Sequence, residues 1–304
     1  MTVTTKDGHP MTDAVRQDEI VQKAIRNLFI GSVPERADEL SSLWENLDLV
    51  FQLFPDDHED GRLIMDAGSY RYIRFNHRVV RSFWIGAFAA WEGYRAIAES
   101  KDFPTVDLTR FKELITAFDA ALQNDQSDES PLPDGVPEPG KLPNKNEYPQ
   151  GRAASELSII AVAWALLHEA RHIRHQREAT SASVHGNTQE AQHGEEFSCD
   201  EFATRFILEH SQRYSNENDV DLALVRRKRE TAIYFALFTL TLLAQNQWSA
   251  SNTHPSVQDR IVAVCRLMGN NRDELAEAIA HTAFAALRTL WPSAPMIVVG
   301  EHSA

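Results

Sequence analysis

The chain has 304 residues, 43% of them hydrophobic, with 30 Lys plus Arg against 44 Asp plus Glu and a formal net charge of −14. That length and apolar content suffice for a sizeable core in one large domain or two small ones, and they exclude overall disorder. So acidic a surface repels a phosphate backbone, which sets nucleic acid aside as a partner.

Two cysteines, Cys199 and Cys265, are too few for a disulfide framework and fit a reducing cytosol. Residues Met1 to His9 are polar and lack the apolar run of a secretory signal. The longest strongly apolar stretch, Ala232 to Ala244, has 13 residues, against about 20 for a membrane span. The expectation is a soluble cytosolic protein with no membrane partner.

Helical periodicity dominates the predicted elements. Ile20, Val21, Ala24, Ile25, Leu28 and Phe29 recur at three- and four-residue steps, with Gly31 after the end. Leu40, Leu43, Trp44, Leu47, Val50 and Phe51 repeat the pattern after Pro34 and predict a second helix that Pro55 stops. Next, Arg62 to Asp66 and Tyr70 to Phe75 flank Ala67-Gly68-Ser69, the one place that reads as a small β-hairpin. An aromatic-rich third helix is predicted from Asn76 to Ala98 and a fourth from Leu108 to Leu122.

From Asp125 to Gln150 the composition changes. Six of the thirteen prolines fall between Pro131 and Pro149, which predicts a long exposed loop. Helices resume over Ser155 to Arg177, Gln189 to Gln212, Asp219 to Gln247, Ser256 to Met268 and Asp273 to Leu290, followed by a tail. The basic run Arg226 to Arg229 lies inside one of them and reads as a solvated helix face. The expected fold is a mainly α, multi-helix bundle with at most a small hairpin. Its parts are an N-terminal helical half (1–124), the Pro-rich loop (125–150) and a second helical half (151–304), packed as one unit.

Five of the twelve histidines lie between His168 and His193, and Leu167-His168-Glu169-Ala170-Arg171-His172 is an HExxH motif. Residues four apart on a helix sit one above the other, so both imidazoles reach one metal ion. Glu169, one step round, is placed to touch water at the metal without ligating it. A catalytic zinc takes three protein ligands and keeps an open position. On the next helix Glu196 and Asp200 are again four apart. One can bind the metal while the other accepts the free N–H of an imidazole. The assignment is His168, His172 and Glu196 as zinc ligands, Asp200 behind them, and Glu169 as general base and then acid. Glu195 is the rival third ligand. His175 reads as solvated, His193 as a neighbour of the site, and Cys199 as packing.

HExxH followed by ExxxD on a second helix resembles the gluzincin metallopeptidases. Glu196-Phe197 to Asp200, with Phe202-Ala203, is similar to the signature of the membrane prenyl-protein and heat-shock zinc protease family. Thr253-His254-Pro255, ahead of Arg260-Ile261, matches that family's third element. By that position His254 stabilises an oxyanion or acts as a latch. Cys199 stands where the family usually has Ala. In size and in its mid-chain HExxH, the chain also resembles the Lit-type phage-exclusion peptidases. That resemblance implies a cytosolic protease acting on a translation elongation factor. The competing readings are a helical binding or sensor protein with a structural zinc, and a metal-free helical interaction protein.

Overall fold

A computed structural model describes residues 19–47, 50–53, 65–67, 72–75, 77–101, 105–123, 131–182, 188–245 and 247–297. The ends of the chain, positions 68–71 within the predicted hairpin and positions 125–130 of the Pro-rich segment lie outside the described residues.

The fold is mainly helical. In chain order the elements are α1 (Glu19–Gly31), α2 (Ala37–Asn46), β1 (Val50–Leu53), β2 (Met65–Ala67), β3 (Tyr72–Phe75), α3 (His77–Ala98), α4 (Thr109–Gln123), α5 (Pro149–Arg177), α6 (Gln189–Leu208), α7 (Ser211–Asn218), α8 (Leu222–Leu243), α9 (Val257–Met268) and α10 (Glu274–Leu290).

Three boundaries differ from the sequence expectation, each for a physical reason. The second helix ends at Asn46, because Val50 to Leu53 pair in parallel with Tyr72 to Phe75. The predicted hairpin is therefore part of a three-stranded sheet of order β1-β3-β2, with β2 antiparallel to β3. Helix α5 begins at Pro149, inside the predicted loop; proline is well suited to a first helical turn, where its missing N–H costs nothing. Finally, the helix expected over Gln189 to Gln212 breaks after Leu208, whose carbonyl accepts the Ser211 hydroxyl at 2.6 Å.

The start positions of the later helices follow from their caps. Thr188, Asp221, Ser256 and Asp273 each accept a backbone N–H of the first turn of α6, α8, α9 and α10, a contact typically worth about 1 kcal/mol.

One buried cluster runs from Ile25 to Ile297. Helices α5 and α8 form its centre, with α3, α6 and α10 packed against them. On α8 the residues from Arg229 to Thr239 are all buried, so only its first two turns, with Arg226, Arg227 and Lys228, keep a polar face. Helix α5 is long and apolar enough to cross a membrane, which the sequence reading missed, but 83% of its apolar window is buried inside the fold.

Helices α3 and α8 approach closely at Gly86. A Cβ placed there would stand 2.7 Å from Thr239 Oγ1 and 2.9 Å from its Cγ2. Thr239 is β-branched and fully buried, so it cannot swing aside. Gly86→Ala is expected to destabilise the protein by about 1–3 kcal/mol, read as a shifted denaturant midpoint with unchanged slope. An unshifted midpoint would show that the two helices have room to separate.

Polar ties fix the chain's outer segments. The Glu35 carboxylate pairs with Arg229 at 2.7 Å in a fully buried contact. Arg36 and Arg229 donate to the carbonyls of Phe206 and Ile207 at 2.8 and 2.9 Å, which caps the C-terminal end of α6. Trp84 donates to the Pro137 carbonyl at 2.8 Å and Trp91 to Gln150 at 3.1 Å. These bonds hold the proline-rich segment against α3.

Candidate functional site

Helices α5 and α6 run antiparallel, and cross-contacts recur every four residues on each. Trp164 donates to Thr204 at 3.0 Å, His168 Nδ1 meets Asp200 Oδ1 at 2.9 Å, and His172 Nε2 lies 3.3 Å from Glu196 Oε1. One helical period on each side thus lines up HExxH against Glu196 and Asp200.

The tautomers follow from these partners. Asp200 is a carboxylate, so His168 Nδ1 donates to it. His172 Nδ1 donates in the same way to Glu195 Oε1 at 2.7 Å, while Glu195 Oε2 accepts the Ala182 N–H. With both Nδ1 atoms protonated, the Nε2 atoms of neutral rings are bare lone pairs, and they face each other at 3.2 Å. Glu196 adds a carboxylate 3.5 Å from His168 Nε2 and 3.3 Å from His172 Nε2, and its buried Oε2 has no hydrogen bond.

With both rings neutral, two imidazole nitrogens and a carboxylate converge on one point, a set of acceptors that suits a cation. A tetrahedral zinc with bonds of about 2.0–2.1 Å has ligand-to-ligand edges of about 3.3 Å, close to the observed separations. Without a metal, the same demand for positive charge falls on His172, which favours its protonated form. Burial works against a charged His172, yet hydrogen bonds with Cys199, Glu195 and Glu196 outweigh it and raise its pKa. Burial would also push Glu196 up, but His172, His168 and Arg260 hold its carboxyl below the usual range.

Behind this cluster lies Arg260 of α9. Its guanidinium grips Asp200 through two bonds of 2.8 and 2.6 Å, and its Nη1 stands 3.4 Å from Glu196 Oε2. Asp200 is fully buried. Burial alone would raise its pKa, but Arg260 and the His168 hydrogen bond keep it low.

A cavity of about 400 Å³ opens beside the histidines. Glu169, His254, Glu195 and Glu196 supply its polar wall, and Phe83, Trp164, Leu240 and Leu243 the apolar one. Glu169 is buried at its edge. His254 is exposed, with Nε2 at 3.6 Å from Glu196 Oε1. Its loop is tied down by His193 of α6, whose Nε2 contacts the Ser251 carbonyl at 2.8 Å, while Ser251 N–H donates to the His254 carbonyl at 2.9 Å.

All six predicted site residues, His168, Glu169, His172, Glu196, Asp200 and His254, are therefore brought together. Of the two adjacent glutamates, Glu196 faces the Nε2 pair and Glu195 the outer Nδ1. His175 differs from expectation. It is buried, bridging Thr180 at 2.8 Å and Ser198 at 3.0 Å. Arg260 was not predicted as part of the site; the only sequence signal for it was its place in the His254-Pro255 to Ile261 element. Cys199 also lies closer than a packing residue needs to, with Sγ within 4.8 Å of a ring nitrogen of each histidine.

Residues 73–282 match the family described as Peptidase U49. The chain is also 32% identical to the cell death peptidase of Escherichia coli (strain K12), over 46% of this chain and 44% of that protein. The alignment thus spans less than half of the relative's length. No solved structure matches the chain.

Proposed function

The chain belongs to the Peptidase U49 family, and from that premise we propose that it is a soluble, cytosolic zinc endopeptidase of the gluzincin type, with a protein as its substrate. The observation that carries this reading is the convergence of His168 Nε2, His172 Nε2 and the Glu196 carboxylate at 3.2–3.5 Å beside an open cavity. These three residues would hold the zinc.

A zinc ion there supplies Lewis acidity, polarising the scissile carbonyl and making water easier to deprotonate. The remaining work falls to the protein's own groups. Glu169 takes a proton from the water whose oxygen attacks the carbonyl carbon. As the C–N bond breaks, Glu169 returns that proton to the leaving nitrogen. Asp200 and Glu195 fix the ring orientation of His168 and His172 through Nδ1, and Arg260 fixes Asp200. His254, at the cavity mouth, is the group available to donate to the developing oxyanion. Strand β2 is an edge strand of the sheet, and β2 and β3 pack on α5. An extended substrate can add to such an edge by main-chain hydrogen bonds.

The resemblance to phage-exclusion peptidases makes a translation elongation factor the first substrate to try. Glu169→Gln should retain that substrate uncleaved when incubated in bacterial lysate with phage components, whereas wild type releases fragments. If wild type cleaves nothing under those conditions, the peptidase reading fails. The elongation-factor assignment alone fails if a different protein is trapped and cut.

A further inference from the structure

Cys199 has no part in the mechanism above, yet it faces the same point. It sits on α6 three residues after Glu196, so the two share a helix face, and it is fully buried. Its Sγ and one ring nitrogen from each of His168 and His172 all lie within 4.8 Å of one another. The Glu196 side chain is nine-tenths buried beside it, with Oε2 3.5 Å from His168 Nε2 and 3.4 Å from Arg260 Nη1 and without a hydrogen bond. A sulfur this close to a nitrogen of each of two imidazoles is placed to serve as a metal donor.

We propose that Cys199 is a fourth protein ligand, so that the resting metal centre is a closed set of His168, His172, Glu196 and Cys199. This rests on the zinc reading of the site and adds its regulation. Thiolate is a preferred zinc donor, and four protein donors leave no open position. On coordination the thiol proton is released to solvent. Peptide hydrolysis then requires the sulfur to leave the metal and take up a proton again, which makes the resting enzyme latent.

Cobalt(II) substituted into the full-length protein tests this without any activity assay. A thiolate ligand gives a strong sulfur-to-cobalt charge-transfer band in the near ultraviolet, which carboxylate and imidazole ligands do not. The wild type and Cys265→Ser should show the band, and Cys199→Ala should lose it. Cys199→Ala should also lose zinc more readily to a competing chelator, with affinity weakened by at least the roughly 10–100-fold that loss of a group merely orienting a ligand costs. One cobalt per chain with no thiolate band in the wild type overturns the proposal while leaving the zinc site standing. A band that disappears in Cys265→Ser overturns it as well. Wild-type protein that takes up no cobalt and no zinc removes the metal reading itself.

Discussion

Glu169→Gln is expected to slow peptide hydrolysis by about 10²–10⁴-fold, the range for loss of a positioned general acid–base group, with zinc content unchanged. The amide has nearly the shape of the carboxylate, but it can neither take a proton from water nor hand one to the leaving nitrogen. Because Glu169 lines the cavity without belonging to the His168, His172 and Glu196 cluster, the loss should fall on kcat, with KM moving little. Single-turnover cleavage of the trapped substrate, with metal analysis of the same preparation, checks this. A variant that keeps wild-type turnover would remove Glu169 from the mechanism, and one that loses its zinc would place it among the ligands.

The second large effect is on stability. Arg260→Leu leaves the Asp200 carboxylate in a fully buried position without the two guanidinium bonds at 2.8 and 2.6 Å. Breaking a buried pair from one side costs about 3–5 kcal/mol, which for a chain of this size lowers Tm by roughly 10 °C. Since Asp200 also orients His168 through Nδ1, zinc affinity should fall by about 10–100-fold. Arg260→Lys keeps the charge without the planar two-pronged donor and should recover only part of either loss. Melting curves taken with metal chelated separate the two effects. An unchanged melt for Arg260→Leu would mean that Asp200 is held by other groups.

The parts of the site that were legible in the sequence are those governed by local helical geometry. His168 and His172, and likewise Glu196 and Asp200, are four apart, and a period of 3.6 places each pair on one face whatever surrounds it. The choice of Glu196 over Glu195 rests in the sequence only on the four-residue spacing to Asp200. Neighbours on a helix lie about 100° apart, on either side of the same stripe, and only the docking of α6 on α5 shows which carboxylate meets Nε2. Arg260 stands sixty residues after Asp200, and no periodicity links them. His175 reads as solvated because Arg171, Arg174 and Arg177 surround it in sequence; Ser198 and Thr180 bury it in the fold. The sheet shows the same limit. Val50 and Phe51 continue the apolar spacing of α2, but pairing with Tyr72 and Ile73 takes them into a strand.

His168, His172 and Glu196 are proposed to hold a zinc ion. Elemental analysis of the full-length protein, purified without chelator and exchanged into metal-free buffer, tests it most directly. About one zinc per chain is expected for the wild type, as for a site with three protein ligands, with the metal lost in His168→Ala, His172→Ala and Glu196→Ala. Wild-type protein without stoichiometric zinc, or zinc that persists undiminished in all three variants, would contradict the account.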